Sequence, residues 1–209
     1  MKKYLPIQLL IVSVTFLFWG CTGTIPLTTS LNDFVIMGIK TNKNDQISFK
    51  FSSKVKDTVY QLCTIENDKK SASGQYQGFN ITPATVLNKM ITEFMNNKFS
   101  KVSDSSNIKI EVNFDDFWIE YLSRSSGGEK FMAALGGGGL NYSCNAKTRG
   151  SITIKKDTLE FTKNIATSAE ESYNTGSGNN FEQVYAKVIN STFNKFIAFM
   201  NAFLDENKF

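Results

Sequence analysis

Apolar residues change their spacing several times along this chain, and each change marks an element. Phe34–Lys40 (FVIMGIK) and Gln46–Phe51 (QISFKF) are short β-rich runs. The turn-like TNKND between them predicts a hairpin. Thr58–Glu66 sets Val59, Gln61, Cys63 and Ile65 against Tyr60, Leu62 and Thr64, a strand with both faces partly apolar. After the polar loop NDKKSASGQYQG, the period switches. Val86, Leu87, Met90, Ile91, Phe94 and Met95 recur at steps of three and four, the stripe of an amphipathic helix. Thr82 is placed as its N-cap and Pro83 as its first residue, where a missing N–H costs nothing. The stripe runs out near Phe99.

The longest strand signal is IKIEVNFDDFWIEYL, Ile108–Leu122. Ile108, Ile110, Val112 and Phe114 hold even positions, while Phe117, Ile119 and Tyr121 hold odd ones. The phase changes at Asp115–Asp116, and one extra residue there, a β-bulge, returns the apolar side chains to one face. Tyr142–Ile154 and, beyond the turn KKDT, Leu159, Phe161 and Ile165 predict a second hairpin. SAEESYNTGSGNN comes next, a polar loop. Asn180–Leu204 predicts the final helix, whose wide face of large apolar residues covers one face of the sheet. The sum is an α+β fold: a mostly antiparallel sheet with two helices packed on one face.

The chain opens with a different pattern. Lys2 and Lys3 precede the apolar stretch Leu5–Trp19, and Gly20 is a small residue immediately before Cys21. This is the layout of a secretory signal peptide, and the apolar run is short of the ~20 residues of a spanning helix. The stretch FLFWGCTGT resembles the lipobox of bacterial lipoproteins. In that family the peptide is cut before the cysteine, whose thiol then carries diacylglycerol. The resemblance implies Cys21 as the lipid-bearing N-terminus. The sequence departs from the family preference at Phe18 and Trp19, where Leu and a small residue are usual. An uncleaved membrane anchor is the alternative. The expected organisation is a signal peptide over residues 1–20, a tether over 21–32 and one α+β domain over 33–209. Thr22–Asn32 is small, polar and Pro-containing, as a tether would be.

Removing residues 1–20 takes away Lys2 and Lys3, so the formal charge falls from +4 to +2. That is too near neutral to predict nucleic acid as a partner. The chain has no histidine, which excludes Ser/His/Asp, Cys/His and His-based metal arrangements. Neither a metal nor a cofactor is expected. A carboxylate hydrolase using Asp115, Asp116 or Glu120 stays open, although adjacent strand residues point to opposite faces. Cys63 and Cys144 either form a disulfide in an oxidising compartment or stay as thiols. Between the bulged strand and the second hairpin, Phe131–Leu135 (FMAAL) precedes four glycines, Gly136–Gly139. The run lacks the G-x-x-x-x-G-K-[ST] spacing of a phosphate loop. It reads as a flexible connection, with Phe131, Met132 and Leu135 as a contact for a partner or a membrane.

With its lipobox-like start and the helix beginning TPATVLNKMITEFM, the element order resembles the small envelope lipoproteins of the YajG-like and ABC-transport-auxiliary type. The resemblance covers roughly residues 33–205. It implies a tethered, non-catalytic component of envelope assembly or transport, held to the membrane by its N-terminal lipid and partnered by envelope proteins. Thr22, rather than Asp, comes after Cys21, which points to the outer membrane, facing the periplasm. The competing expectation is a carrier with a lipid or other hydrophobic ligand between the last helix and the sheet.

Overall fold

A computed structural model describes residues 23–39, 42–62, 64–66, 69–70, 77–103, 106–178 and 180–209. Cys21, the preceding apolar run and Cys63 lie outside the described residues. The first half of the chain holds β1 (Gly23–Thr24), α1 (Asp33–Gly38), β2 (Asn42–Ser53), β3 (Thr58–Leu62), β4 (Thr64–Glu66), β5 (Lys69–Lys70), β6 (Gln77–Ile81) and α2 (Pro83–Lys98). The second half holds β7 (Phe99–Val102), β8 (Ile108–Ser123), α3 (Gly127–Ala134), β9 (Asn141–Lys156), β10 (Leu159–Asn174) and α4 (Phe181–Glu206).

The fold is α+β. β8, β9 and β10 form an antiparallel meander, and β9 pairs with β8 along its whole length. The register slips by one residue between Phe114 and Asp116, so Asp115 is the bulge that the phase change predicts. Ile110, Val112, Phe114, Phe117 and Ile119 are therefore all buried. Phe114 and Phe117 both meet Phe193 of α4, at ring distances of 6.1 and 5.8 Å. Two strands share the other edge of β8. β2 pairs with it from Ile47 to Ser53, and β4 rejoins it at Tyr121 and Leu122. In between, β3 leaves to join β6 and β1 in a separate three-stranded sheet.

The expected antiparallel sheet is in fact mixed. β2 runs parallel to both β8 and β7, β4 runs parallel to β8, and β1 runs parallel to β6. Short apolar runs carry no record of strand direction, which the connections decide. The expected hairpin of Phe34–Lys40 with Gln46–Phe51 is also replaced. Residues 33–38 form α1, whose N-cap Asn32 accepts from the Val35 N–H at 2.9 Å. The 21–32 tether folds from Gly23 onward: Gly23 and Thr24 form β1, and Ile25 and Leu31 are buried. β10 continues through all of SAEESYN, Ser168–Asn174, where the sequence suggests a loop, as an edge strand with a polar outward face.

α4 packs along β9 and β10, and α2 packs against β2 and β7. Their ends meet at Lys98, a fully buried side chain whose Nζ donates to Asp205 Oδ1 at 2.6 Å and Asn201 Oδ1 at 3.1 Å. Thr82 does not cap α2 with its own side chain. Asp57, from the turn before β3, accepts instead from the Ala84 N–H at 2.9 Å and the Thr85 N–H at 3.2 Å.

Deleting Asp115 removes the phase change and turns Phe117, Ile119 and Tyr121 to the opposite face. The deletion variant is expected to lose cooperative unfolding by circular dichroism in urea. Asp115→Ala loses the exposed ion pair with Lys54 and is expected to keep the parent's urea midpoint. A deletion variant with the parent midpoint would remove the bulge as the source of the strand's facing.

Candidate functional site

α3 is built by its caps. Ser126 and Glu129 form a capping box: the Ser126 N–H donates to Glu129 Oε2 at 2.6 Å, and the Glu129 N–H donates to Ser126 Oγ at 3.3 Å. The Ser126 backbone bond, above all, holds the Glu129 carboxyl below its usual range. At the other end the Gly136 N–H reaches Ala133 O at 3.0 Å and the Gly137 N–H reaches Met132 O at 2.9 Å. This is a Schellman closure, and Gly136 supplies its positive φ of 79°. Gly139 lies so close to Gly176 that an added Cβ would fall 2.2 Å from its nitrogen. The glycine run is thus an ordered closure, where the sequence suggested a flexible loop. The S-x-x-E signal at Ser126–Glu129 was available in the sequence.

No side chain of α3 is buried. Phe131, Met132 and Leu135 share one face of its last turn and are 65, 53 and 67% exposed. An eight-residue helix is marginal in water on its own, and this one presents its apolar face to solvent. The three residues singled out in the sequence therefore do form one surface.

The ends of β8, β9 and β10 nearest the α3 segment in the chain carry an aromatic cluster. Tyr121 stacks on Tyr142 at 4.2 Å, and Phe181, the first residue of α4, lies within 5.4 Å of Tyr121, Tyr173, Tyr185 and Phe79. Phe79 in turn packs under Gly23, where a Cβ would fall 2.7 Å from its ring. Gly23 therefore lies on an aromatic layer that reaches, through Phe79 and Phe181, to Tyr121 and Tyr142 at the ends of β8 and β9 that flank α3 in the chain. Tyr185 donates to Glu120 O at 2.7 Å. Burial pushes the hydroxyls of Tyr121, Tyr142 and Tyr185 upward. It also pushes the Cys144 thiol up to about 12. Cys144 is a buried thiol in this cluster.

The three carboxylates considered for hydrolysis do not converge. Asp115 meets Lys54 at 2.8 Å and Glu120 meets Lys147 at 2.9 Å. Asp116 is exposed beside Arg149 in a shallow cleft of about 490 Å³. Among the described residues, Phe193, Phe196, Ile197 and Met200 fill the region against the sheet where a carrier was expected to hold its ligand. An apolar groove of about 600 Å³ lies between α1 and α4, lined by Val35, Met37, Ala198, Phe199 and Ala202, with Asp205 at one side. The groove depends on α1, and so was hidden by the strand reading of Phe34–Lys40.

A raised thiol pKa sets the direction of an alkaline effect. The unfolded chain releases the Cys144 proton from about pH 9, while the folded chain holds it to about pH 12. The associated stability is complete below pH 9 and is lost as pH rises toward 12. Tyr60, raised by burial from 10.0 to about 12, acts in the same sense. The urea midpoint is expected to fall between pH 9 and 11, and Cys144→Ala is expected to remove the part that begins near pH 9. A midpoint indifferent to Cys144→Ala across this range contradicts the assignment.

No family model matches this chain, and no curated protein matches it. Among solved structures, a Xanthomonas campestris protein of the DUF330 family is similar, with 7% identity and a TM-score of 0.49, over 90% of this chain and 99% of that one. Rare lipoprotein B of Shewanella oneidensis is similar at 10% identity and 0.44, over 79% of this chain and all of the other. A minor lipoprotein of Acinetobacter baumannii gives 10% identity and 0.38, over 76% and 92%. At these identities and scores the likenesses carry no role over to this chain.

Proposed function

We propose that this chain is a lipid-anchored protein of the bacterial envelope that acts by binding, in assembly or transport, without catalysis. Cys21 is the acylated residue and the outer membrane, on its periplasmic side, is the site of anchorage. It resembles the YajG-like and ABC-transport-auxiliary lipoproteins in its lipobox-like start and element order, with an envelope protein as partner. The observation that carries the reading is the position of Gly23. Its strand pairs with β6 two residues after Cys21, so an acylated Cys21 leaves little free tether. The end of the domain nearest the lipid is then the end that bears α3. Phe131, Met132 and Leu135 enter the headgroup region, and the tyrosines behind them suit a membrane interface.

A second reading, carriage of a hydrophobic ligand, has the α1–α4 groove in its favour, since its volume and apolar walls are those of a small-molecule site. Phe199→Asp places a charge on that wall and is expected to abolish any saturable binding of 1-aminoanthracene. Binding that survives the substitution puts the ligand elsewhere.

Globomycin treatment followed by intact-mass measurement tests the anchor. The untreated mature chain is expected to begin at acylated Cys21, and any other mature N-terminus overturns the proposal. In proteoliposomes, an environment-sensitive fluorophore on Met132→Cys is expected to shift to the blue, while one on Thr162→Cys is not. Identical emission at the two positions removes the membrane contact and leaves the anchor standing.

A further inference from the structure

The outermost strand of the large sheet has an open edge with a self-complementary sequence. Among the described residues β10 pairs with β9 alone, in a register unbroken over all 16 residues. The Ser168 carbonyl points off the free edge, where Lys195 Nζ donates to it at 2.8 Å. By the alternation of an antiparallel strand, the backbone groups of the other even-numbered residues from Glu160 to Asn174 point the same way. Leu159 and Phe161, 58 and 38% exposed, lie at one end of this edge. A long, regular edge with exposed apolar residues is a template for another strand.

We propose that a second copy of this chain pairs here, antiparallel, across a two-fold axis at Thr167. That register sets Phe161 against the partner's Tyr173, Lys163 against the partner's Glu171, and Ile165 against the partner's Ala169. On the opposite face it sets Glu160 against Asn174, Thr162 against Ser172, Asn164 against Glu170, and Ala166 against Ser168. No like charges meet. Moving the axis by one residue in either direction sets Phe161 or Ile165 against Glu171, an apolar side chain against a charge. A strand of unrelated sequence would not be matched in this way, and the symmetry favours the isologous pair. In the single chain Lys163 meets Glu206 at 3.4 Å and Glu171 meets Lys187 at 2.7 Å, both at the surface. Each keeps its neighbour while gaining an opposite charge across the axis. Lys195 gives up Ser168, whose carbonyl accepts from the partner's Ala166 N–H.

Sedimentation equilibrium of the full chain in density-matched detergent tests the pairing. The parent is expected to be a dimer. Lys163→Glu or Glu171→Lys alone brings like charges together twice per dimer and is expected to weaken association by about tenfold or more. The double reversal is expected to restore it, which a folding defect would not do. Ala166→Pro removes an N–H that points off the edge and is expected to give a monomer with an unchanged far-ultraviolet spectrum. A parent that stays monomeric at every concentration reached overturns the proposal. So does a dimer that neither charge reversal nor Ala166→Pro moves.

Discussion

A single inserted residue, Asp115, decides which way half of the central strand faces. Ahead of it Ile110, Val112 and Phe114 point into the core, and behind it Phe117 and Ile119 do the same only because the strand has slipped one position. α4 spans that slip: Phe193 touches Phe114 on one side of the bulge and Phe117 on the other. The helix, the meander and the shared edge of β8 all rest on this alignment. The bulged strand also stops carrying β2 at that point, since the pairing of β2 ends opposite Phe114. Past Ser53 the chain turns away from β8, and β3 enters the smaller sheet beside β6.

The helices are secured by groups distant in sequence. Asp57 serves the first turn of α2, Asn201 donates to the Gly38 carbonyl at the end of α1, and Asn194 accepts from the Asn32 N–H before it starts. Lys98 and Asp205 tie the C-terminal ends of α2 and α4 together. The Lys98 side chain is fully out of water, so the pair owes its place to hydrogen bonds that replace its hydration, those to Asp205 and Asn201 among them. α3 differs in that none of its side chains enters the core: its own caps close both ends, and Asn141 of β9 donates to Glu129 at 3.2 Å.

How much of the fold is legible in the sequence depends on how local each cause is. The N-terminus of α2 at Pro83, the start of α4 after Asn180, the bulge and the second hairpin all leave periodic or capping signals within a few residues. The strand reading of Phe34–Lys40 failed because β-branched and aromatic composition outweighed a weak helix signal. Six residues give too little periodicity, and the burial of Val35 and the contacts of Asn194 and Asn201 are tertiary. The far half of β10 was hidden by its polar outward face, and Ile25 and Leu31 by Pro26 and the threonines around them. At the candidate site, Phe131, Met132 and Leu135 stood out by composition. Their shared helical face depended on a capping box obscured by two glycines. The mixed pairing of β2, β4 and β1 had no local signal at all.

That parallel pairing bears on the order in which the molecule assembles. The meander and α4 join neighbours in sequence, so they close short loops and form fast. β2 waits for β8, and α1 waits for α4, because each partner lies far along the chain. A chain that appears N-terminus first therefore has β1, β3 and β6 to pair with one another, while the edge of β2 that belongs to β8 stays open until β8 is made. During that interval this edge is vulnerable to mispairing, a demand on the cell set by topology alone.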